Sequence, residues 1–508
     1  MSDGRVYLVG AGPGDPGLLT LRGRDLLARA EVVVYDRLSP PRLLELAPPE
    51  AERVFVGKRA GDHALDQAGI NRLLIEHALA GRTVVRLKGG DPMVFGRGGE
   101  EALALAEAGV AFEVVPGVTA AVAAAACAGI PLTHRGLASA AALVTGHEAD
   151  DKADSEIDWD ALARFRGTLA FYMGMANLEQ LCANLKAHGL DPATPAAVVH
   201  WGATPRQRVV SGTVETVAAE AEAGGIRPPA LLYVGPTVAL REQIAWFERR
   251  LLFGRQIVVT RPGRQAGGLV ERLESLGAEV VEAPAIRIEP AADRGPLLKA
   301  VRDLDGFDWV ILTSVNAVEA LFAALAEAGL DARALAPCRM AVMGSATGER
   351  LRGFGVRADL VPPTFTSRAL LEAMAASAEL RGRRVLCPRA DIAPRDLVED
   401  LASHGAKVQE VAAYRTVADN AGAGEVAQRL AEGRIDWLTF TSGSTVRQFL
   451  SAVAAERVRA SRARIASIGP TTSAVLRESG LRPAVEADPH TIDGLVEAIA
   501  REERAAQP

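Results

Sequence analysis

The chain has few cysteines and few aromatic residues. Its 508 residues include four cysteines and 5% aromatic side chains. The cysteines, Cys127, Cys182, Cys338 and Cys387, lie far apart without CxxC spacing, and no histidine pair has a metal-ligand spacing such as HxxxH. This pattern argues against a disulfide framework and against structural zinc, so we expect no metal.

Long apolar runs and basic runs are also missing. The longest uncharged apolar run, Val118 to Pro131, is shorter than the roughly 20 residues that span a bilayer, and Met1 to Arg5 opens no signal-like segment. The formal net charge of -6 argues against a nucleic-acid binder, because neutralising phosphates requires a basic face. We expect a cytoplasmic protein without membrane or nucleic-acid partners.

Short apolar runs alternate with stretches of helical periodicity. In the first half we predict strands at Val32 to Tyr35, Thr83 to Leu87 and Phe112 to Val115, with helices between them. Such alternation predicts an α/β fold with parallel sheets flanked by helices. We expect one domain at 1–245, with lobes at about 1–116 and 117–245, a linker at 246–256 and a second domain at 257–503.

The second half repeats itself at a spacing of about 125 to 128 residues. Three pairs of strand–turn–helix segments carry the repeat, and they begin at Ile257 and Val385, at Trp309 and Trp437, and at Ala341 and Ala466. The repeat predicts two similar α/β lobes with a cleft between them, which suits a large flexible ligand.

Glycine-rich turns follow three predicted strands of the first half, at 10–17, 89–99 and 116–117. Glycines let a ligand approach backbone N–H groups and helix N-termini. The first turn alone would favour a purely structural connection, but the glycine density of the second argues against that interpretation. A dinucleotide fingerprint would need glycine at Asp15, and Pro13 lacks an N–H, so we do not expect nicotinamide binding.

Together these motifs resemble the uroporphyrinogen-III C-methyltransferases, within the family of tetrapyrrole methyltransferases, from Val6 to about Arg241. The resemblance implies the two-lobed α/β fold of class III methyltransferases, which binds S-adenosylmethionine between its lobes and usually forms a homodimer. The positions that match family contacts to this cofactor are Pro13, Gly89, Gly90, Asp91, Val94, Thr119, Ala120, Met173 and Gly202.

The same resemblance implies roles for several charged residues. Asp36 and Lys58 match positions with acid/base roles, whereas Arg97, Glu100 and Arg135 match positions that bind tetrapyrrole carboxylates or assist proton removal. An arginine grip on carboxylates suits a reaction that depends on aligning a methyl donor with a carbon nucleophile. The alternative for any isolated lysine or arginine is a solvated surface charge.

The second half, from about Ile257 to Ala500, resembles uroporphyrinogen-III synthase through short motifs around Ser314, Tyr414 and Thr441. That family closes linear hydroxymethylbilane into the macrocycle while inverting its last ring, without a cofactor. Tyr414 matches the tyrosine suggested to help water leave. The expected substrate contacts, for which helix N-capping is an equal alternative, are Ser314, Thr441, Ser442, Gly443, Thr471 and Thr472. The resemblance also implies that the chain crosses between the lobes by strand exchange.

The two resemblances together predict a bifunctional enzyme that acts on small-molecule tetrapyrroles. The synthase product is the methyltransferase substrate, so fusion would raise its local concentration. We expect two methylations, at C-2 and C-7, to give precorrin-2. No dinucleotide module precedes Val6, so we expect neither oxidation of precorrin-2 nor metal insertion. A nicotinamide oxidoreductase and a non-catalytic tetrapyrrole carrier are the alternatives.

Overall fold

A computed structural model of the chain describes residues 4–57, 65–146, 157–261, 263–364, 366–377, 380–393, 395–420 and 422–506. It separates into two compact units, one formed by the chain up to Arg255 and the other by the chain from Gln256 onward, except that Arg272–Glu279 cluster with the first unit. Of the helices in these ranges, none combines the length and apolarity needed to cross a bilayer.

Lobe 1 of the first unit is a parallel five-stranded sheet with helices packed on it. Its strands are β1 (Arg5–Gly10), β2 (Val32–Tyr35), β3 (Glu52–Phe55), β4 (Thr83–Lys88) and β5 (Ala111–Val115), in the order β3-β2-β4-β1-β5. Its helices are α1 (Leu21–Leu27), α2 (Gln67–Leu79) and α3 (Gly98–Glu107). The apolar runs of β1, β2 and β4 are buried, as is typical of parallel strands covered by helices.

Lobe 2 contains a second five-stranded sheet, which is mostly antiparallel. Its strands are β6 (Ala141–Thr145), β7 (Thr168–Tyr172), β8 (Pro195–His200), β9 (Arg208–Thr213) and β10 (Ala230–Val234), in the order β6-β7-β10-β8-β9. Its helices are α4 (Ala120–Ala128), α5 (Trp159–Ala163), α6 (Leu178–Ala187), α7 (Val217–Ala223) and α8 (Arg241–Ile244). Only β6 and β7 pair in parallel. The expectation of parallel sheets is therefore wrong here, because β8 and β9 form a hairpin that needs no crossover helix.

The segment after α8 packs against α4 of the same unit. Phe247 is buried beside Cys127 of α4, and the Trp246 indole N–H donates to the Ala126 carbonyl at 3.0 Å. Arg250 lies over the Phe247 ring, 3.7 Å from its centroid. Much of the stretch expected to be a linker is thus in contact with α4.

The second unit also contains two five-stranded sheets. Its strands are β11 (Gln256–Val259), β12 (Glu279–Glu282), β13 (Ile286–Pro290), β14 (Trp309–Leu312), β15 (Arg339–Val342), β16 (Arg384–Ala390), β17 (Lys407–Ala418), β18 (Trp437–Phe440), β19 (Arg464–Ser467) and β20 (Val485–Glu486). The orders are β12-β11-β18-β19-β20 in lobe 3 and β13-β17-β16-β14-β15 in lobe 4. Lobe 3 takes strands from both ends of this half and lobe 4 from its middle, so the chain crosses between lobes as the family resemblance implies.

Helices connect these strands and cover the sheets. They are α9 (Gly263–Ser275), α10 (Gly295–Arg302), α11 (Val315–Glu327), α12 (Ser345–Gly353), α13 (Ser367–Ser377), α14 (Asp396–Ser403), α15 (Ala423–Ala431), α16 (Gly443–Ala452), α17 (Ala455–Ala460), α18 (Pro470–Glu478) and α19 (Ile492–Ala505). Each lobe has its own cluster of buried apolar side chains between sheet and helices.

The sequence repeat reappears as equivalent pairing in lobes 3 and 4. Ile257 is aligned with Trp437 in lobe 3, and Val385 with Trp309 in lobe 4. Each tryptophan is buried and has an arginine over its ring, Arg464 at 4.2 Å and Arg339 at 4.3 Å from the centroid. Cation–π contacts of this kind stabilise the same position of both sheets.

Three strand ends of lobe 1 approach too closely for side chains. A Cβ added to Gly10 would lie 2.5 Å from Gly117 Cα and 2.7 Å from Gly90 O, and one added to Gly117 would lie 2.3 Å from Gly90 O. All of these neighbours are backbone atoms, which cannot rotate away. Glycine at these positions therefore sets the spacing at the carboxyl ends of β1, β4 and β5.

We expect Gly10→Ala to lower the opening free energy of β1, β4 and β5 by about 1 to 3 kcal/mol, because the strand ends must separate. Hydrogen–deuterium exchange of peptides covering these strands measures this. Gly99→Ala is the matched control, since nothing lies within 4 Å of its added Cβ. Equal exchange in both variants would contradict the steric explanation.

Candidate functional sites

The glycine-rich turns of lobe 1 are joined by hydrogen bonds. Gly12 N–H donates to Gly90 O at 3.2 Å, and Gly90 N–H donates to Gly12 O at 2.7 Å. The Asp91 carboxylate accepts from Gly117 N–H at 2.9 Å and from Met93 N–H at 2.7 Å. The three turns predicted from the sequence therefore form one assembly, with Asp91 as its side-chain bridge.

Thr119 and Met173, two of the predicted cofactor contacts, are connected through Tyr172. The Thr119 and Tyr172 hydroxyls are 2.6 Å apart, and Ala121 N–H donates to the Tyr172 hydroxyl at 2.9 Å. Burial raises the pKa of Tyr172, and the bond from Thr119 opposes this rise. The Phe95 ring lies 4.8 Å from the Tyr172 ring. Ala120, the first residue of α4, lies between Thr119 and Ala121 in the sequence.

The sequence analysis missed Tyr172 and Phe95. Tyr172 directly precedes the predicted residue Met173, and Phe95 directly follows the predicted residue Val94. This adjacency in the sequence was the signal that could have identified them. Val94 is half-buried in the same turn. Phe95 lies in lobe 1 and Tyr172 in lobe 2, so the two rings come into contact only when both lobes are folded. No local sequence pattern could therefore predict this contact.

Backbone strain is concentrated around the predicted cofactor positions. Non-glycine residues rarely adopt positive φ, and those that do cluster at functional sites. In the described ranges such residues are Phe95 (51°), Arg97 (58°), Met173 (54°), Trp201 (48°) and Ala203 (62°). Arg97 and Met173 were predicted site residues, and the other three flank Val94 and Gly202.

Gly202 and Gly89 lie where two segments of the chain pass too close to each other for a side chain, and Pro13 is next to a third such point at Gly14. A Cβ added to Gly202 would lie 2.3 Å from Ala124 Cβ on α4, and one added to Gly89 would lie 2.6 Å from Leu38 Cβ. Beside Pro13, a Cβ at Gly14 would lie 2.7 Å from Thr204 Cγ2. The turn carrying Pro13 thus meets the turn carrying Gly202.

The predicted substrate-binding charges fall into different environments. Arg97 and Glu100 form an exposed bidentate pair with N–O distances of 2.8 and 2.7 Å. Their hydrogen bonds raise the pKa of Arg97 and lower that of Glu100. Arg135 is exposed and has no ion-pair partner among the described residues. Lys58 lies outside the described residues.

Asp36 follows β2 and is anchored on one side. Its Oδ1 accepts from Leu38 N–H at 3.0 Å and from the Ser39 hydroxyl at 3.3 Å. Its Oδ2 lies 3.6 Å from Arg86, which is buried on β4. The sequence analysis did not predict a role for Arg86, although a charge inside an apolar strand was a visible signal.

In lobe 4 the structure brings Ser314 and Tyr414 together. Their hydroxyls are 3.0 Å apart, and Ser314 Oγ also accepts from Ala317 N–H at 3.1 Å as the N-cap of α11. The N-capping alternative is therefore confirmed for Ser314, and it coexists with the contact to Tyr414.

The remaining predicted residues of the second half lie in lobe 3, at the starts of α16 and α18. Ser442 caps α16 by accepting from Thr445 N–H at 3.2 Å, and Thr441 precedes it. A Cβ added to Gly443 would lie 2.9 Å from a Val475 methyl group of α18. Thr471 is exposed, whereas Thr472 is 4% exposed.

Neither half contains an evident metal site in the residues the structure describes. No group of three or more histidine, cysteine, aspartate or glutamate side chains could hold an ion there. Cys127, Cys182, Cys338 and Cys387 are buried free thiols, and burial raises the pKa of each to about 11.

Comparisons with known proteins match each half separately and both together. The family described as tetrapyrrole (corrin/porphyrin) methylases matches residues 5–218, and the family described as uroporphyrinogen-III synthase HemD matches residues 268–497. The porphyrin biosynthesis protein HemD of Ruminiclostridium josui is 39% identical over 499 residues, which are 98% of each chain.

Two further relatives match parts of the chain. The uroporphyrinogen-III C-methyltransferase of Bacillus subtilis is 44% identical over 70% of this chain and 74% of its own length. The crystal structure of the Thermus thermophilus uroporphyrin-III C-methyl transferase complexed with S-adenyl homocysteine is 47% identical, covering 47% of this chain and 100% of that one, with a TM-score of 0.40. This chain therefore belongs to the tetrapyrrole methylases through its first half and to the uroporphyrinogen-III synthases through its second, and is a bifunctional enzyme of tetrapyrrole biosynthesis.

Proposed function

We propose that the chain cyclises hydroxymethylbilane to uroporphyrinogen III with inversion of ring D, and then methylates this product at C-2 and C-7 with S-adenosylmethionine to give precorrin-2. One observation carries the proposal for the first half. Seven of the nine residues that match family cofactor contacts lie in or next to the three hydrogen-bonded turns of lobe 1, and all five non-glycine residues with positive φ in the described ranges lie at or next to predicted site residues. Strain of this kind is retained where function requires it.

The turns of the first unit suit S-adenosylmethionine. Gly89, Gly90 and Asp91 with Thr119 and Ala120 would hold it through backbone groups, because glycine lets a ligand reach the main chain. Further proposed contacts come from Pro13, Val94, Met173 and Gly202. The cofactor supplies a methyl group on a sulfonium leaving group, so the protein's task is alignment.

Charged side chains at the same edge would bind the tetrapyrrole. Arg97 is held by Glu100, so a substrate carboxylate would share or replace that partner in the bidentate geometry guanidinium favours. Arg135, which is exposed, would take another carboxylate. We assign proton transfer to Asp36, with Lys58 as its proposed partner.

In the second unit, Tyr414 would donate a proton to the departing hydroxyl of hydroxymethylbilane. Ser314 Oγ accepts from Ala317 N–H, which favours donation of its own proton to Tyr414 and leaves the tyrosine proton for substrate. The hydroxyls and amides at the starts of α16 and α18 would bind substrate carboxylates, with Thr441, Ser442 and Gly443 at the first helix and Thr471 and Thr472 at the second. We propose no cofactor for this half.

The family resemblance also supports a homodimer formed through the first half and a cytoplasmic location. Light scattering of the purified full chain measures the assembly directly. A mass equal to one chain across a wide concentration range would contradict the dimer.

The whole proposal is tested by incubating the full chain anaerobically with hydroxymethylbilane and labelled S-adenosylmethionine. We expect a type-III tetrapyrrole carrying two added methyl groups, identified by chromatography and mass spectrometry. Unmethylated type-III product would contradict the first activity, and type-I product alone would contradict the second. Omitting S-adenosylmethionine is the control, which should give uroporphyrinogen III.

We expect Tyr414→Phe to lower the rate of type-III formation by about 10-fold or more, because general acid catalysis is worth roughly 10²- to 10⁴-fold and water can replace part of it. Ser314→Ala should lower it less, and Ser314→Thr should retain most activity because it keeps the hydroxyl. Methylation of supplied uroporphyrinogen III by the same preparations is the internal control. Full cyclisation activity in Tyr414→Phe would contradict the role.

A further inference from the structure

A cluster of buried charges lies behind the Asp36 carboxylate. Glu101 of α3 accepts hydrogen bonds on Oε1 from Lys88 Nζ at 2.8 Å and from Arg86 Nε at 3.1 Å, both on β4. Arg86 in turn lies 3.6 Å from Asp36 Oδ2. The side chains are 27% exposed at Asp36 but 4%, 5% and 0% at Arg86, Lys88 and Glu101. Only Asp36 of this charge cluster therefore reaches the surface.

The charge cluster is balanced only when all four members are present. It contains two cations and two carboxylates, and a buried charge left without a partner is strongly destabilising. Glu101 offsets one of the two cations, and Asp36 offsets the other. When Asp36 takes up a proton, one buried positive charge remains in excess.

Arg86 is held in one orientation. Besides its bond to Glu101, its Nη1 donates to Leu87 O at 3.1 Å and approaches Val34 O at 3.4 Å. Gln67 of α2 approaches Glu101 Oε1 at 3.4 Å. Because the Arg86 guanidinium is planar, the bonds made by its Nε and Nη1 direct its Nη2 towards Asp36.

Lys88 connects the charge cluster to the cofactor turn. It is the last residue of β4 and is followed directly by Gly89. Burial and the nearby Arg86 charge lower the pKa of Lys88, while Glu101 opposes that fall. Glu101 thus favours the charged form of a lysine that faces a second cation.

We propose that Glu101 is a positioning residue for methyl transfer, which acts through Arg86 on Asp36. This inference rests on the proposed methyltransferase activity. In this transfer the sulfur–methyl bond of S-adenosylmethionine would break as a carbon–methyl bond forms on the tetrapyrrole, and S-adenosylhomocysteine would leave as a neutral thioether. The methylated tetrapyrrole would then carry one extra positive charge, which it would lose as a proton. Asp36 Oδ2 accepts that proton, and Glu101 keeps the remaining excess charge of the cluster at one rather than two.

The test replaces Glu101 by its isostere in the full chain. Glu101→Gln should lower kcat for methylation by about 10-fold or more, with the KM for uroporphyrinogen III and the Kd for S-adenosylhomocysteine within about twofold. Isothermal titration measures the Kd. Unchanged S-adenosylhomocysteine binding reports on the folding of the first half, and cyclisation by the same preparation reports on the folding of the second.

Charge balance is tested by a second change. Lys88→Met with Glu101→Gln removes one cation with one carboxylate, so the double variant should recover to within about threefold of wild-type kcat. It also supplies the comparison if Glu101→Gln alone is too unstable to purify.

The outcomes separate the two hypotheses. Wild-type kcat in Glu101→Gln would overturn the positioning role while leaving the methyltransferase activity intact. A loss of kcat without recovery in the double variant, accompanied by weaker S-adenosylhomocysteine binding, would also overturn it. Absence of methylation by the wild-type chain would overturn the proposed function, and this inference with it.

Discussion

The first half depends on the close approach of three parallel strand ends. Gly10 and Gly117 bring backbone atoms, including Gly90 O, to distances that no Cβ would allow. Because side chains are excluded there, the turns that follow are joined by main-chain hydrogen bonds and by Asp91. Peptide groups therefore dominate this edge of the sheet, and the Arg97 side chain beside it is exposed.

The second half is built from the same kind of strand–turn–helix unit as the first half. Its repeat contains this unit three times in each copy, and Trp309 and Trp437 mark equivalent positions in the two sheets. Ser314 and Ser442 cap the helices that follow, but only Ser314 also contacts Tyr414 among the described residues. The two similar lobes therefore differ at equivalent turns, because Ser314 has a tyrosine partner on β17, two strands away from β14 in the sheet.

Much of this organisation follows from local patterns and could be predicted from the sequence. The strand at Val32 to Tyr35, the glycine turns and the repeat are all of this kind. Contacts between distant segments could not be predicted. The Phe95 ring contacts the Tyr172 ring only when lobes 1 and 2 meet, and Glu101 reaches Arg86 only after α3 packs beside β4. The antiparallel pairing of β8 with β9 was not predicted, because an alternation of strands and helices in the sequence does not determine strand direction.

The crossing of the chain between lobes 3 and 4 affects the order in which the second half can fold during translation. β11 is the first of these strands to be translated, yet one of its two neighbours in the sheet is β18, whose residues are translated long afterwards. Lobe 4 can close while lobe 3 still lacks its central pairing. The methyltransferase half, whose strands are contiguous in the chain, can finish folding before either. Nascent chains halted shortly before Trp437 would hold an unpaired β11 edge, a natural target for chaperones.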